Sequence, residues 1–436
     1  MSWLNFFQSK HDLKHTFGRG INASISADEE DLFIKSAEAF EKKEILEAYE
    51  LFFKSLINYN DGESNKNITF SRDNKKLDFV IYQGSAKITG TITKEHLYAQ
   101  AIMVKKNTNV ALKRYILERN YQLTYSCYFT DDEHIIIKLY HDNTTMSPQK
   151  VFYPLRELTL NADYDKEHIK SEFPDIALED VNHIKDMNPD ELKLKYDFLH
   201  KWIEELETKV LTLPSNDNAS MQAFLYLNIL FKTDYLLVPK YKIYQKMSKT
   251  IVEYFGEENT TIESKNEELK RYVETLKNIS FEDFSQNFYT SKYTFNPTER
   301  TSQEEVIAFI SESLAKIRWY KNNRYAQVIP TIYRYIAFYT LFNYGLYPVL
   351  RELLHTLVEI QNPEFFEALD YTPLYDKENE TFSKRIIISR IDDIITPHQD
   401  RFKSLESFSD ELNFSSINEF SNNFYLHLQN LNFEEI

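Results

Sequence analysis

Along residues 67–143 the apolar positions change period several times. Ile68 to Arg72 and Leu77 to Tyr82 are short strand-like runs, separated by the polar turn Asp73-Asn74-Lys75-Lys76. After Gly84-Ser85, the residues Ala86, Ile88, Gly90 and Ile92 take alternate positions, the period of a strand with one buried face. The spacing then lengthens. Ala111, Leu112, Tyr115 and Ile116 predict a helix over 109–119. Leu123 to Phe129 and His134 to Tyr140 are two more strands, joined by Asp131-Asp132-Glu133. Ser147-Pro148 opens a long helix through Leu155, Leu158 and Ala162, with proline in the first turn, where its missing N–H costs nothing. Upstream, 28–58 reads as a helical hairpin in which Ala39, Phe40, Ile45, Ala48, Phe52 and Leu56 face one another.

From about residue 190 onward the pattern is helical throughout. An acidic linker, 174–190, ends in Asn188-Pro189-Asp190, a helix-start signal. The following helix carries Leu192, Leu199, Trp202, Ile203, Leu206 and Val210 on one face. Helices are predicted over 219–231, 241–255 and 264–280. A further helix to Tyr320 opens with Ser302 and Glu305, a capping box. Amphipathic segments follow at 384–395, 400–411 and 416–430. Gly256 and Gly345 stand where helices should stop. The fold class is therefore α+β. A small, mainly antiparallel five-stranded sheet domain with flanking helices occupies 1–175, and a larger all-α domain occupies 188–436. The sheet face bearing Phe79, Ile81, Ile88 and Ile92 is expected to pack on helices.

The run YIAFYTLFNYGLYPVL, 335–350, has no charge between Arg334 and Arg351. Its 16 residues fall short of the roughly 20 that cross a membrane, and they include Asn343, Gly345 and Pro348. The run reads as two helices meeting at a corner, the first from about Arg324 to Tyr344 and the second carrying Leu350, Leu353, Leu354, Leu357 and Ile360. Tyr333, Tyr335, Tyr339, Tyr344 and Tyr347 bring hydroxyls that need partners when buried, and Arg334 and Asn343 are available to supply them. One reading is a crowded aromatic core. The other is a partner- or ligand-binding groove, since aromatics and Arg concentrate at interface hot spots. The pattern does not separate the two.

Composition narrows the function. Hydrophobic residues at 42% and aromatics at 15% exclude a disordered chain. A formal net charge of −16 disfavours nucleic acid as a partner. The single cysteine, Cys127, excludes an intrachain disulfide and cysteine-rich zinc sites. The first fifteen residues lack a secretory pattern, so a reducing cytoplasm is expected.

Chemistry-bearing motifs are few. His11 and His15 are four apart but lack a third ligand and any HExxH frame. The stretch FGRG, 17–20, lacks the Lys-Ser/Thr ending of a phosphate loop and reads as a turn. Cys127 reads as a small buried strand residue, with His134 as the base it would need across the hairpin. Asp131, Asp132 and Glu133 read as a solvated turn. Arg318-Trp319-Tyr320-Lys321-Asn322-Asn323-Arg324 mixes cations with aromatics and reads as a helix C-terminus. No catalytic residue, metal site or cofactor is assigned.

Two stretches, YILERNYQLTYSCYFTDDEHIIIKLY and SPQKVFYPLRELTLNADYDKEHI, carry a further signal. A helix ends at Asn120, a strand runs to Asp131-Asp132, and the last helix holds the pair Ala162-Asp163. With the element order, this resembles the YbjN-like, type III secretion chaperone-like family over about 60–172. The resemblance implies a module that binds protein segments, in many cases as a homodimer. It carries no catalytic residues. The expected function is a non-enzymatic cytoplasmic protein-binding factor of chaperone or adaptor type. The alternatives are a small-molecule sensor or unfamiliar enzyme with a pocket in the helical domain around Arg334 and the tyrosines, or a structural role in a larger assembly.

Overall fold

The computed structural model describes residues 15–18, 27–57, 66–214, 218–256, 260–291, 301–402 and 404–434. Helices α1 (Ala27–Glu41) and α2 (Ile45–Leu56) form the expected hairpin, with Ala39, Phe40, Ala48 and Phe52 buried. Four strands follow as a meander: β1 (Ile68–Arg72), β2 (Lys76–Gln83), β3 (Ala86–Thr93) and β4 (His96–Lys105). Helix α3 (Val110–Arg119) leads to the hairpin β5 (Ser126–Thr130) and β6 (His134–Asp142), and α4 (Pro148–Glu172) follows. The strand order is β1-β2-β3-β4-β6-β5, with every neighbouring pair antiparallel.

The sheet has six strands, not five. The strand missing from the periodicity is β4, HLYAQAIMVK. Its inward residues Leu97, Ala99, Ala101 and Met103 are buried. Two of these are alanines, and Gln and Met favour helix, so the alternation is weak in the sequence. Pairing with β3 on one side and β6 on the other overrides propensity.

Helices α2 and α4 lie on the face that carries Phe79, Ile81, Ile88 and Ile92, all buried as the alternation requires. Two glycines allow close approach there. A Cβ on Gly90 would sit 2.2 Å from the Phe79 ring of the paired strand. Gly84 turns β2 into β3 at φ +51, and a Cβ there would lie 2.2 Å from Oδ2 of Asp163. Oδ1 of Asp163 accepts from the Ser85 N–H at 2.6 Å and hydroxyl at 2.7 Å, which docks α4 on this turn.

The rest of the chain is helical: α5 (Pro189–Leu211), α6 (Ala219–Lys232), α7 (Tyr241–Gly256), α8 (Ile262–Lys277), α9 (Phe281–Ser285), α10 (Gln303–Asn322), α11 (Ile329–Asn343), α12 (Pro348–Gln361), α13 (Pro363–Ala368), α14 (Lys384–Ile395) and α15 (Ile417–Asn430). A two-stranded hairpin, β7 (Tyr375–Asp376) with β8 (Thr381–Phe382), precedes α14. The start signals hold: Asn188, Ser147 and Ser302 each cap their helix through the side chain. Helix α11 ends at Asn343, Tyr344 is extended, and Pro348 opens α12, which is the expected corner. Among the described residues no helix is long and apolar enough to cross a membrane.

Two stop and period signals fail. Gly256 is the last residue of α7 rather than a residue beyond it. Over 400–411 the described residues hold only a 3-10 turn, Ser409–Glu411, instead of an amphipathic helix. Phe402, Leu405 and Phe408 are buried at intervals of three, a spacing that tight turns satisfy as well as a helix.

The sheet and the helices enclose separate hydrophobic clusters. Their junction is polar. Oε1 of Glu167 on α4 accepts from the Tyr289 hydroxyl at 2.6 Å, and Oε2 accepts from the Tyr241 N–H at the start of α7 at 3.2 Å. Lys185 and Thr290 exchange backbone hydrogen bonds of 3.0 and 2.8 Å. Two residues earlier on α4, Asp165 is fully buried. It accepts from Tyr115 and Tyr128, each at 2.5 Å, and from Nε of Arg119 at 2.8 Å.

Asp165→Ala is expected to cost about 3–5 kcal/mol in urea unfolding, because it strands Arg119 and two phenols. Gly84→Ala is expected to destabilise by about 2 kcal/mol or more through left-handed strain and collision with Asp163, whereas Gly256→Ala, which meets nothing within 4 Å, should change stability little.

Candidate functional site

Helices cover one face of the sheet; on the opposite face the linker meets one end, through His183 on Tyr82 and Asp180 on Lys87, and among the described residues the rest carries no packed helix. Strand register places two rows of side chains across it. One row is Ser71, Asp78, Thr91, Tyr98 and Tyr140. The other is Thr69, Val80, Thr89, Gln100, Lys138 and Cys127. The inner strands' members are half-buried, while Tyr140 is 63% and Phe129 48% exposed. Between β1 and β4 the face is concave and forms a groove of about 580 Å³.

The face is ordered by its own hydrogen bonds. Thr91 donates to Asp78 at 2.7 Å, and the Tyr98 hydroxyl donates to Gln100 at 2.6 Å. Lys76 also binds Asp78, at 2.5 Å, and these two donors hold the carboxyl below the usual range. Lys138 sits 3.7 Å over the Phe129 ring, a cation–π contact. Polar groups, two tyrosines, a phenylalanine and Val80 thus share one pre-formed surface. It has the mixture found at protein interfaces rather than the sealed apolar lining of a small-molecule pocket.

Of the two sheet edges, the one at β5 is clamped. Asn120 at the end of α3 clamps β5: Oδ1 accepts from the Tyr128 N–H at 2.6 Å, and Nδ2 donates to the Tyr128 carbonyl at 3.4 Å. Glu157 takes the N–H groups of Thr124, Tyr125 and Ser126, each at 2.8 Å. Strand addition at β5 would have to break these bonds.

The aromatic run lies in the helical core. Tyr333, Tyr335 and Tyr344 are buried, Arg334, Tyr339 and Tyr347 are half-buried, and Asn343 is exposed. Tyr339 stacks on Phe309 at 4.4 Å, and Tyr347 stacks on Phe433 at 4.3 Å. The Tyr333 hydroxyl donates to Asn422 at 3.2 Å, and its carbonyl accepts from Tyr425 at 2.6 Å. The tyrosines thus find partners on other segments, and Tyr344 also on Asn343 as expected, rather than across an open groove.

Other candidates also resolve. Cys127 is exposed, contrary to the expectation of a buried strand residue, because it lies on the open face. Its partner across the hairpin is Lys138, and His134 pairs with Lys105 instead. Asp131 accepts from the N–H groups of His134 and Glu133, which are the main cause holding its carboxyl below the usual range. His15 contacts Glu191 at 3.3 Å, while His11 and the rest of the first 14 residues lie outside the described residues. In FGRG, Gly18 has φ +64 and binds the Tyr235 carbonyl, and Arg19 and Gly20 lie outside the described residues. Arg318 to Asn322 form the last turns of α10, and Lys321 contacts Glu419 at 3.5 Å. Among the described residues no group of three or more His, Cys, Asp or Glu is placed to hold a metal ion.

No protein-family model matches the chain, and no curated protein is significantly similar to it.

The open-face residues were legible only in part. The threonines of AKITGTIT alternate with the buried isoleucines and mark its outward side. Tyr98 and Gln100 needed β4 to be recognised first. The native full-length chain is expected to take up a maleimide at Cys127 rapidly, with little change in melting temperature, as read by intact mass and thermal unfolding. Labelling only after denaturation would show that this face is covered.

Proposed function

We propose that the chain is a non-enzymatic protein-binding factor of chaperone or adaptor type, which engages a partner protein on the open face of its sheet. The observation that carries this reading is the one-sided covering of the six-stranded sheet. Helices α2 and α4 seal one face, and the other presents the groove with Tyr98, Tyr140 and Phe129 beside it. Tyr and Phe are enriched where proteins meet, and the half-buried threonines supply hydrogen bonds at low entropic cost. The element order that resembles YbjN-like modules supports the same reading.

The partner favoured by charge is a basic protein. A chain of net charge −16 repels a second copy of itself and steers cations towards its surface. The clamp at β5 disfavours strand addition at that edge.

The test is co-purification of tagged full-length protein from its native host, beside Thr89→Arg and Tyr140→Arg variants. A protein recovered in fixed ratio with the wild type, and reduced about tenfold or more by either variant at unchanged melting temperature, is the expected result. Recovery unaffected by both variants removes the face from the interaction. A salt-independent dimer disrupted by the same substitutions would replace the basic partner with a second copy.

A further inference from the structure

Residues 15–18, His-Thr-Phe-Gly, lie against the helical domain, although the next helix of the chain, α1, packs with the sheet. The Phe17 ring sits among His355 of α12, Phe366 of α13 and Tyr371, with ring centroids 5.1, 5.1 and 6.1 Å away. His15 Nδ1 lies 3.3 Å from Oε2 of Glu191 on α5, and Thr16 between them is exposed. The Gly18 N–H donates to the Tyr235 carbonyl at 2.8 Å. Gly18 is buried at φ +64, and a Cβ there would meet the Tyr235 ring at 3.0 Å, so the position demands glycine.

The receiving surface is fixed by its own contacts. The Tyr235 hydroxyl and His355 Nδ1 are 2.8 Å apart, His355 Nε2 is 3.3 Å from Glu359, and Glu359 binds Arg390 of α14. Lys195 holds the other oxygen of Glu191 at 3.0 Å. Burial pushes the Glu191 carboxyl up, but His15 and Lys195 outweigh it and bring it down to about 2. The Tyr235 carbonyl finds no donor in the backbone that follows it. Its α-helical partner would be Pro239, which has no N–H. Its π-helical partner, Lys240, gives its N–H to the Asn287 carbonyl at 2.8 Å, and Val238 gives its own to Thr233 at 3.3 Å. A carbonyl left unmet at a buried residue is costly, and a segment laid across the end of this turn meets it. An anchor ring, a backbone hydrogen bond and a flanking charge are together the parts of a peptide-recognition site.

We propose that Glu191, the Tyr235 carbonyl and the cage of His355, Phe366 and Tyr371 form a peptide-binding site for segments of the pattern cation-x-Phe-Gly, and that residues 15–18 are its built-in occupant, displaced by the same pattern on another polypeptide. The cage takes the phenylalanine ring, Glu191 takes the cation two positions earlier, and the carbonyl takes the glycine N–H. Of the seven glycines only Gly18 and Gly256 follow a phenylalanine, and the second has Glu253 in the cation's place, so the chain holds one copy of the pattern. Residues 19–26, which tether this copy to α1, span at most about 30 Å. The arm therefore competes from an effective concentration on the order of 1 mM, and a second polypeptide has to outbid it. This site lies in the helical domain and does not depend on the sheet face.

The experiment is fluorescence anisotropy with a labelled synthetic peptide of residues 12–21, titrated with full-length wild type, Phe17→Ala and Gly18→Val. Phe17→Ala removes the anchor. Gly18→Val forces a β-branched residue to positive φ against the Tyr235 ring, so each variant opens the site by a separate route. Both variants are expected to bind the peptide saturably, and the wild type about tenfold or more weakly than either. A peptide with alanine for the phenylalanine, or valine for the glycine, should lose about tenfold or more against the same variants. If one variant does not fold, the other decides the matter alone. If neither folds, the segment is part of the core rather than an exchangeable occupant, and the proposal falls. Absence of binding to a folded variant also overturns it, as does equal binding to wild type and variants, or binding that the altered peptides retain.

Discussion

Three consecutive charged residues, Asp165, Lys166 and Glu167, are buried in the middle of α4, with exposures of 0, 0 and 4%. No amphipathic scheme places such a tripeptide inside, because successive residues on a helix point in directions 100° apart. It is tolerated because each charge meets a different part of the molecule. Asp165 turns to Arg119, Tyr115 and Tyr128 of the α3–β5 edge. The Lys166 ammonium donates to the Glu179 carbonyl at 2.7 Å, which ties down the linker. Glu167 turns to Tyr241 and Tyr289 of the helical half. The unpaired cost of any one charge would be several kcal/mol, so the three contacts hold together or fail together. Sheet edge, linker and helical domain are thereby indexed to a single helix.

That constraint also marks the limit of what pattern reading recovers. Residues with a strong period, such as Ile88 and Ile92 against Thr89 and Thr91, declare their faces directly. Helix starts declare themselves through Ser147, Asn188 and Ser302, because a cap is a local interaction between a side chain and nearby N–H groups. The burial of Asp165, Lys166 and Glu167 is not local. Each partner comes from a distant element, and a charged tripeptide in sequence reads as a solvated surface. The same holds for β4, whose identity rests on its neighbours, and for Cys127, whose exposure follows from which sheet face the helices leave open. The aromatic run 335–350 left core and groove undecided, because its partners, Phe309, Asn422, Tyr425 and Phe433, lie on other segments that periodicity cannot bring together.

The open sheet face results from topology: the α1–α2 hairpin precedes the sheet and α4 follows it, and α2 and α4 fall on the same side. Thr91 is satisfied by Asp78 and Tyr98 by Gln100 on the face itself, which lowers the penalty of leaving it bare. Lys232 is the reverse case: it is the single charged residue of α6, only 8% exposed, and among the described residues it has no carboxylate within ion-pair distance. A surface that is stable when empty suits exchangeable partners.

Lys232 is also close in sequence to the domain junction. It is followed by a π-helical turn, Thr233–Leu237, then Val238 in the left-handed region at φ 54, and then Tyr241, whose N–H binds Glu167. Residues 231–240 are buried throughout. A segment transmits binding energy only if it has two arrangements of similar free energy. Here the Leu237 carbonyl accepts from Lys195 at 3.1 Å, the Lys240 N–H donates to the Asn287 carbonyl at 2.8 Å, and the Asn287 side chain accepts from the Ile243 N–H at 3.0 Å. A β-branched residue held at positive φ persists because these bonds over-determine it, and a second arrangement would have to break several of them at once. The segment therefore acts as a rigid splint between α6 and the junction with α4.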